Sequence, residues 1–153
     1  MAIEIERKFL VKAELFKPVD EGQFIAQGYL SSTPERTIRV RIKKHHGYLT
    51  IKGKNEGICR AEFEYEIPES DAKELLELCE PTIIVKRRYI VDVESSRWEV
   101  DIFEGENEGL IVAEIELQSE NEEFNKPDWI GDEVSNDARY YNSNLSKRPY
   151  KSW

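Results

Sequence analysis

The feature that most constrains the fold is a two-residue alternation of apolar and charged side chains. It recurs along the chain, for example in Ile38-Arg39-Val40-Arg41-Ile42-Lys43 and in Glu62-Phe63-Glu64-Tyr65-Glu66-Ile67. Because successive side chains of a strand point to opposite faces, residues i and i+2 share a face. Each such segment is therefore predicted to be a β-strand with one apolar and one charged face. The links between the segments are short and rich in turn-forming residues, which favours antiparallel connections.

Helical patterns are fewer. Residues 68–79 place Ala72, Leu75, Leu76 and Cys79 at helical spacing, and residues 135–146 are predicted to form a second, weakly apolar helix. No linker or repeat divides the chain. We therefore expect one mainly β domain of the α+β class over residues 1–153, in which a few helices cover the sheet.

The charged faces usually carry a single sign on each strand. Neighbours on one face of a strand lie about 6.5–7 Å apart, where two like charges repel by about 2–2.5 kcal/mol at an effective dielectric constant near 20. The ordinary alternative, a solvated sheet face, normally mixes signs and neutral polar residues. Repeated repulsion becomes useful if carboxylates bind divalent cations and Lys and Arg bind a polyanion between them. The acidic pairs are Glu4 and Glu6, Glu62 and Glu64, Glu99 and Asp101, and Glu114 and Glu116.

The first strand combines both charges. Glu4 and Glu6 supply two hard oxygen ligands of the kind that Mg²⁺ or Mn²⁺ prefers, and Lys8 follows on the same face. A cation held there would keep coordination positions for phosphate oxygens, and the Lys8 ammonium could bind a terminal phosphoryl oxygen. The pattern predicts a phosphate-processing site.

Composition excludes several other classes. The chain has 31 Asp and Glu against 22 Lys and Arg, a formal charge of -9, which argues against a nucleic-acid-coating protein. No apolar run approaches the roughly 18–20 residues of a membrane span, and the charged start lacks the apolar segment of a signal peptide. We therefore expect a cytoplasmic protein that binds neither nucleic acid nor membrane. Two isolated cysteines, Cys59 and Cys79, argue against a disulfide scaffold or a structural zinc site.

The whole chain resembles the CYTH superfamily, also called triphosphate tunnel metalloenzymes, and in length its short bacterial members. The segment Glu4-Ile5-Glu6-Arg7-Lys8-Phe9-Leu10-Val11 is similar to the family signature. Further similar motifs are Gln27-Gly28-Tyr29-Leu30, Arg39-Val40-Arg41, Thr50-Ile51-Lys52, residues 60–66, Lys86-Arg87-Arg88-Tyr89, Glu99-Val100-Asp101, Ala113-Glu114-Ile115-Glu116 and Arg139-Tyr140.

The resemblance implies an eight-stranded antiparallel closed barrel, a tunnel with a charged lumen. It implies metal binding by the acidic positions Glu4, Glu6, Glu62, Glu64, Asp101, Glu114 and Glu116. It implies triphosphate contacts from Lys8, Arg39, Arg41, Lys52, Lys86, Arg88 and Arg139. Tyr29 and Lys52 would position or polarise the reacting phosphoryl group. A second cation, held by the remaining carboxylates, could activate the attacking water; if only one catalytic cation binds, Glu62 or Glu64 is an alternative general base.

The implied reaction is Mg²⁺- or Mn²⁺-dependent hydrolysis of inorganic triphosphate to pyrophosphate and phosphate. Adenylate cyclase, nucleoside triphosphatase and thiamine triphosphatase share the same tunnel and remain alternatives. A non-catalytic module that binds polyphosphate or nucleotide is a further one, although such a module gains nothing from buried carboxylates without metal. The expected partner is triphosphate or another small polyphosphate, and a homodimer is compatible with the sequence.

Overall fold

The computed structural model describes residues 3–153, so Met1 and Ala2 of the predicted domain lie outside the described residues. Within that range the strands are β1 (Ile3–Val11), β2 (Gln23–Thr33), β3 (Arg36–Lys43), β4 (His46–Gly53), β5 (Cys59–Ile67), β6 (Glu80–Val93), β7 (Ser96–Phe103), β8 (Ile111–Glu116) and β9 (Ile130–Glu133). The helices are α1 (Glu69–Leu78) and α2 (Asn142–Lys147), with short 3-10 helices at Gly105–Asn107, Ala138–Tyr140 and Tyr150–Ser152. None of these helices is long and apolar enough to cross a membrane.

The strands form a closed antiparallel barrel. Hydrogen-bonded neighbours run in the order β5-β4-β3-β2-β6-β7-β8-β1, and β1 also pairs with β5. That last pairing joins the two ends of the sheet, so eight strands make a continuous cylinder. The additional strand β9 pairs with the later part of β1. The predicted eight-stranded barrel with a few covering helices is confirmed.

Cross-strand register places the charged side chains on one surface of the wall. Glu6 lies opposite Glu116, and Lys8 lies opposite Glu114. Arg88 lies opposite Asp101 on the next pair of strands. Directly opposed residues share a face of an antiparallel sheet, so the alternation seen in the sequence turns the charged positions together into the lumen.

The main apolar core lies on the outer surface of this wall. Phe9, Trp98, Val100, Ala113 and Ile115 are buried there beneath two loops. One of these loops, residues 117–129 between β8 and β9, contributes two aromatic side chains that meet Trp98 edge-on: the ring centroids of Trp129 and Phe124 lie 6.1 Å and 5.7 Å from that of Trp98. Edge-to-face contacts of this kind add to the stabilisation from apolar burial. The apolar faces are thus covered by loops as well as by helices.

The two helices flank the barrel at different places. Helix α1 matches the predicted helix over residues 68–79 and packs on β2, β3 and β4, where its Ala72 is fully buried. The predicted second helix, residues 135–146, is shorter and later than expected: a 3-10 turn comes first and α2 begins at Asn142. The Asp137 side chain accepts a hydrogen bond from the backbone N–H of Arg139, and such local bonds compete with helix formation.

Helix α2 fills one end of the bore. Its Leu145 is fully buried in a second apolar cluster with the inward-facing side chains of Tyr29, Ile84, Phe103 and Val112. Ser146 of the same helix donates a hydrogen bond to the backbone oxygen of Thr82 at the start of β6. The charged part of the lumen therefore has an apolar floor at this end.

Gly28 on β2 marks a close approach between the sheet and the segment after α1. A Cβ atom at this position would lie 2.7 Å from Ile83 Cδ1 and 2.9 Å from Cys79 Cβ. We expect Gly28→Ala to lower the free energy of unfolding by about 1–3 kcal/mol, because overpacking forces side chains and backbone to shift. Urea unfolding followed by circular dichroism measures this.

The matched control is Gly53→Ala, where the added Cβ would lie 3.4 Å from Ala61 Cβ, an ordinary contact. Equal effects of the two substitutions would contradict the explanation by close approach.

Candidate active site

The lumen is divided into an acidic and a basic half. Four adjacent strands, β7, β8, β1 and β5, carry the inward acidic pairs Glu99 and Asp101, Glu114 and Glu116, Glu4 and Glu6, and Glu62 and Glu64. The other four, β4, β3, β2 and β6, carry the cations Lys52, Arg39, Arg41, Lys43, Lys86 and Arg88. Lys8 on β1 and Arg60 on β5 are the cations of the acidic half. Carboxylates thus face Lys and Arg across one bore.

A cavity of ≈ 250 Å³ lies between the two halves. Most of the predicted site residues line it: Glu4, Glu6, Lys8, Tyr29, Arg39, Arg41, Lys52, Glu62, Glu64, Lys86, Arg88, Glu114 and Glu116. Asp101 and Arg139 are not among its lining residues. The fold therefore places almost all of the predicted site residues around this one cavity.

Asp101 lies behind the cavity wall as the shared counterion of two cations. Its Oδ1 accepts a hydrogen bond from Arg88 Nε at 2.7 Å and its Oδ2 from Arg88 Nη2 at 2.8 Å, and Lys86 Nζ also lies 2.8 Å from Oδ2. Burial opposes its ionisation, but Arg88 and Lys86 together hold the pKa of Asp101 far below its usual value. Burial also lowers the pKa of Lys86 to about 7, with Asp101 opposing that shift. This triad fixes two of the cations that line the cavity.

The carboxylates of the acidic half repel one another. Burial raises the pKa of Glu6 well above its ordinary value, and the charges of Glu114 and Glu4 raise it further. Glu114 shows the opposite result: burial raises its pKa, but Lys8 and a hydrogen bond with Glu6 lower it to about 2. Burial and the charge of Glu4 raise the pKa of Glu62. Burial and neighbouring carboxylates therefore oppose the ionised forms of Glu6 and Glu62, whereas Lys8 favours ionised Glu114 and Lys52 favours ionised Glu4.

Lys52 bridges the two halves at one seam of the barrel. Its Nζ lies 3.0 Å from Glu4 Oε1 and 3.3 Å from Glu62 Oε2. On the next residue pair inward, Thr50 donates a hydrogen bond to Glu64, which also contacts Arg39 Nη2 at 3.4 Å. Glu62 and Glu64, which the sequence treats alike, thus differ in their partners.

The C-terminal segment closes over the cavity without Arg139. Lys8 Nζ donates a hydrogen bond to the backbone oxygen of Tyr140, and Tyr141 lines the cavity. Arg139 itself points away: its guanidinium is exposed, pairs with Asp137 and stacks 5.0 Å from the Trp153 ring. The substrate contact predicted for Arg139 stays a prediction that these contacts do not support.

Several cavity residues were not predicted as ligands. Lys43 extends the Arg39 and Arg41 alternation by one step, and Arg60 precedes Glu62 by one step, so the two-residue period could have found both. Glu99 forms an acidic pair with Asp101 in the sequence; Glu99 lines the cavity, whereas Asp101 does not. Asn142 comes from α2, where no periodic signal pointed to the lumen.

The acidic half has the chemistry of a divalent-cation site. No three acidic, histidine or cysteine side chains of residues 3–153 converge on one point as a metal centre. Glu4 contacts Lys52, and Glu114 contacts Glu6 and Lys8. The donor set itself fits Mg²⁺ or Mn²⁺, which take hard oxygen ligands. The pKa values of Glu6 and Glu62 are raised first by burial and then by neighbouring carboxylates, and a dication bound beside them would favour their ionised forms.

Comparisons with known proteins agree with this geometry. A family model of the CYTH domain matches residues 2–150. An inorganic triphosphatase of Acetivibrio thermocellus is 52% identical over 154 residues, which cover 100% of this chain and 99% of that protein. An inorganic triphosphatase of Nitrosomonas europaea is 33% identical, covering 94% of this chain and 96% of its own. The crystal structure of the inorganic triphosphatase NE1496 superposes with a TM-score of 0.68 at 31% identity, covering 95% of each chain.

Proposed function

Since this chain belongs to the CYTH domain family, we propose that it hydrolyses inorganic triphosphate to pyrophosphate and phosphate within its barrel, with Mg²⁺ or Mn²⁺ as cofactor. The observation that carries the proposal is the division of the lumen into opposed acidic and basic halves around one cavity. At ≈ 250 Å³ this cavity lies just below the range of about 300–1,000 Å³ typical of pockets for drug-sized ligands. That size favours a short polyphosphate over a complete nucleotide.

The basic half would bind and align the substrate. Arg41 and Arg39 lie on β3, and Lys86 and Arg88 lie on β6, with β2 between the two strands. Arg39 Nε is buried without a hydrogen-bond partner among residues 3–153, and a phosphoryl oxygen would accept from it. Fixed cations that hold the phosphate chain in line lower the barrier by orientation and by stabilising charge in the transition state.

The acidic half would hold the cofactor. Glu4, Glu6, Glu62, Glu114 and Glu116 line this side of the cavity and supply carboxylate oxygens. When bound, a divalent cation offsets the negative charge on the transferred phosphoryl oxygens. Asp101 acts differently in this proposal: its contacts keep Lys86 and Arg88 directed toward the substrate.

Of Glu62 and Glu64, Glu62 is our candidate to accept a proton from the attacking water, a role it would take in place of binding the cation. Its pKa is raised by burial and by Glu4, toward the working range of a general base. Glu64 is already engaged by Thr50 and Arg39. Lys52, in contact with Glu62, would position the reacting phosphoryl group, while the buried hydroxyl of Tyr29 borders the same cavity.

A substrate panel tests the proposal. The purified chain is incubated with triphosphate, ATP, thiamine triphosphate or pyrophosphate in Mg²⁺, Mn²⁺ or EDTA, while phosphate and cyclic AMP are measured. We expect phosphate release from triphosphate that needs a divalent cation and stops in EDTA, with pyrophosphate left intact. Cyclic AMP formation from ATP would favour the cyclase, and binding of triphosphate without turnover would favour the non-catalytic module. Either result would overturn the proposal.

A further inference from the structure

Gln27 is a fully buried polar residue at the centre of the basic half. It lies on β2, directly opposite Arg41 on β3, and its side chain is 0% exposed. Arg41 Nε donates a hydrogen bond to Gln27 Oε1 at 2.8 Å. Gln27 does not line the cavity, whereas Arg41 does. The amide therefore supports a cavity cation from behind.

The orientation of this amide is fixed by its partners. A guanidinium can only donate, so the atom that faces Arg41 is the amide oxygen. The Gln27 amide nitrogen then points to Asn142 Oδ1 at 3.2 Å and to the Tyr29 hydroxyl at 3.4 Å. Asn142 Oδ1 also accepts from Lys86 Nζ at 3.0 Å, and an ammonium can likewise only donate. Gln27 thus joins Arg41 to α2 and, through it, to Lys86.

Arg41 differs from the other buried cations in its charge partners. Lys8, Arg39, Lys86 and Arg88 each have a carboxylate oxygen within 4.0 Å. No carboxylate of residues 3–153 approaches Arg41 that closely, and its side chain donates instead to the neutral Gln27. Burial lowers the pKa of Arg41 to about 9, and the charges of Arg39 and Arg88 add to that effect. The positive charge at Arg41 therefore has no direct carboxylate partner, although Asp101 opposes the lowering of its pKa from a greater distance.

We propose that Gln27 is a positioning residue that fixes the Arg41 guanidinium through a neutral acceptor, so that its positive charge stays available to the substrate. A carboxylate at position 27 would hold Arg41 equally well but would neutralise it. The inference rests on the proposed function, because it assumes that Arg41 binds a polyphosphate.

Two substitutions at position 27 separate the charge argument from a purely structural role. Gln27→Glu keeps the length and the acceptor oxygen that faces Arg41, adds a charge, and loses the donor to Asn142. Gln27→Met removes both the acceptor and the donor and adds no charge. We expect Gln27→Glu to raise the KM for triphosphate about tenfold or more, with kcat changed less than about threefold. We expect Gln27→Met to raise KM less while lowering the midpoint. If Gln27 had only a structural role, Gln27→Met would raise KM more than Gln27→Glu, and that result would overturn the proposal.

The Arg41→Met background tests whether Gln27 acts through Arg41, even if Gln27→Glu fails to fold. In that background, Gln27→Met should change KM by less than about twofold, since residues that act as a unit are not additive. A KM effect as large as in the native background would overturn the proposal. Asn121→Asp, an exposed loop change of the same charge as Gln27→Glu, should leave KM unchanged.

Two readouts keep this inference distinct from the proposed function. Calorimetric binding of triphosphate in EDTA should be weaker for Gln27→Glu than for the native chain, whether or not turnover occurs. Equal binding would overturn the role of Gln27. Absence of triphosphate turnover by the native chain, with that binding difference intact, would overturn only the proposed hydrolysis.

Discussion

Replacing Asp101 by asparagine is expected to lower the free energy of unfolding by about 3–5 kcal/mol, the usual cost of removing one partner from a buried ion pair. Asp101 and Lys86 are each 1% exposed, and Arg88 holds both carboxylate oxygens of Asp101. An amide keeps the shape but leaves Lys86 buried without a carboxylate partner and leaves Arg88 paired with Glu99 alone, at 3.3 Å. For a chain of this length we expect the thermal midpoint to fall by about 10 °C.

The pH dependence of the Asp101 contribution has a defined sign. The pKa of Asp101 is depressed in the folded state by Arg88 and Lys86, against the effect of burial. Its contribution is therefore complete above the unfolded-state pKa, near 3.9, and is lost only as the pH falls below that value. The native chain and Asp101→Asn should thus differ fully at pH 7 and converge in strong acid.

Asp92→Asn is the matched control, because Asp92 pairs with Arg97 at 2.9 Å on the exposed surface. Exposed ion pairs contribute little, so urea unfolding should hardly distinguish this variant from the native chain. Triphosphate should also raise the midpoint of Asp101→Asn more than that of the native chain, because it supplies the missing negative charge. Equal stability of Asp101→Asn and Asp92→Asn would contradict the stabilising role of the buried triad.

Glu6→Gln is expected to reduce kcat for triphosphate by about 100-fold or more without destabilising the protein. Even groups that only orient metal ligands commonly contribute 10- to 100-fold, and Glu6 is proposed as a ligand itself. The pKa of Glu6 is raised by burial and then by Glu114 and Glu4, so its ionised form is unfavourable in the fold. A neutral amide removes that repulsion at any pH above the unfolded-state pKa.

Kinetics in Mg²⁺ and thermal unfolding at pH 7 together test Glu6. We expect a large loss of kcat with a midpoint equal to or above that of the native chain. Glu108→Gln, on an exposed turn, serves as the control and should leave both measurements unchanged. Loss of activity accompanied by a lower midpoint would show that Glu6 supports the fold instead of the chemistry.

The period of the sequence was sufficient to predict β-strands with one apolar and one charged face, and the residues that share the charged face. Closure of these strands into an eight-stranded barrel was implied only by the resemblance to the CYTH superfamily. Glu4, Glu6 and Lys8 follow one another at two-residue steps, and pleating alone places them on one face. The single sign of charge on each strand indicated that this face was enclosed. The observed order of strands then collects the acidic ones into one half of the cylinder.

The remaining parts of the site carry no such signal. Gln27 is one of several uncharged polar residues of β2, and its role depends on a neighbour in another strand. Arg139 lies in a segment without periodicity, so its direction is decided by Asp137 and Trp153. Residues 135–141 are polar and make local side-chain bonds, which explains why the C-terminal helix begins only at Asn142.

The position of β1 links folding to function. This strand joins the cylinder through partners more than 100 residues later in β8 and β9, and through β5 on its other edge. Contacts so distant along the chain form slowly, because a long loop must be ordered first. The same strand carries Glu4, Glu6 and Lys8, so an intermediate that lacks it has an open sheet and an incomplete set of ligands. Acquisition of the native topology and of catalytic competence should therefore be a single kinetic event.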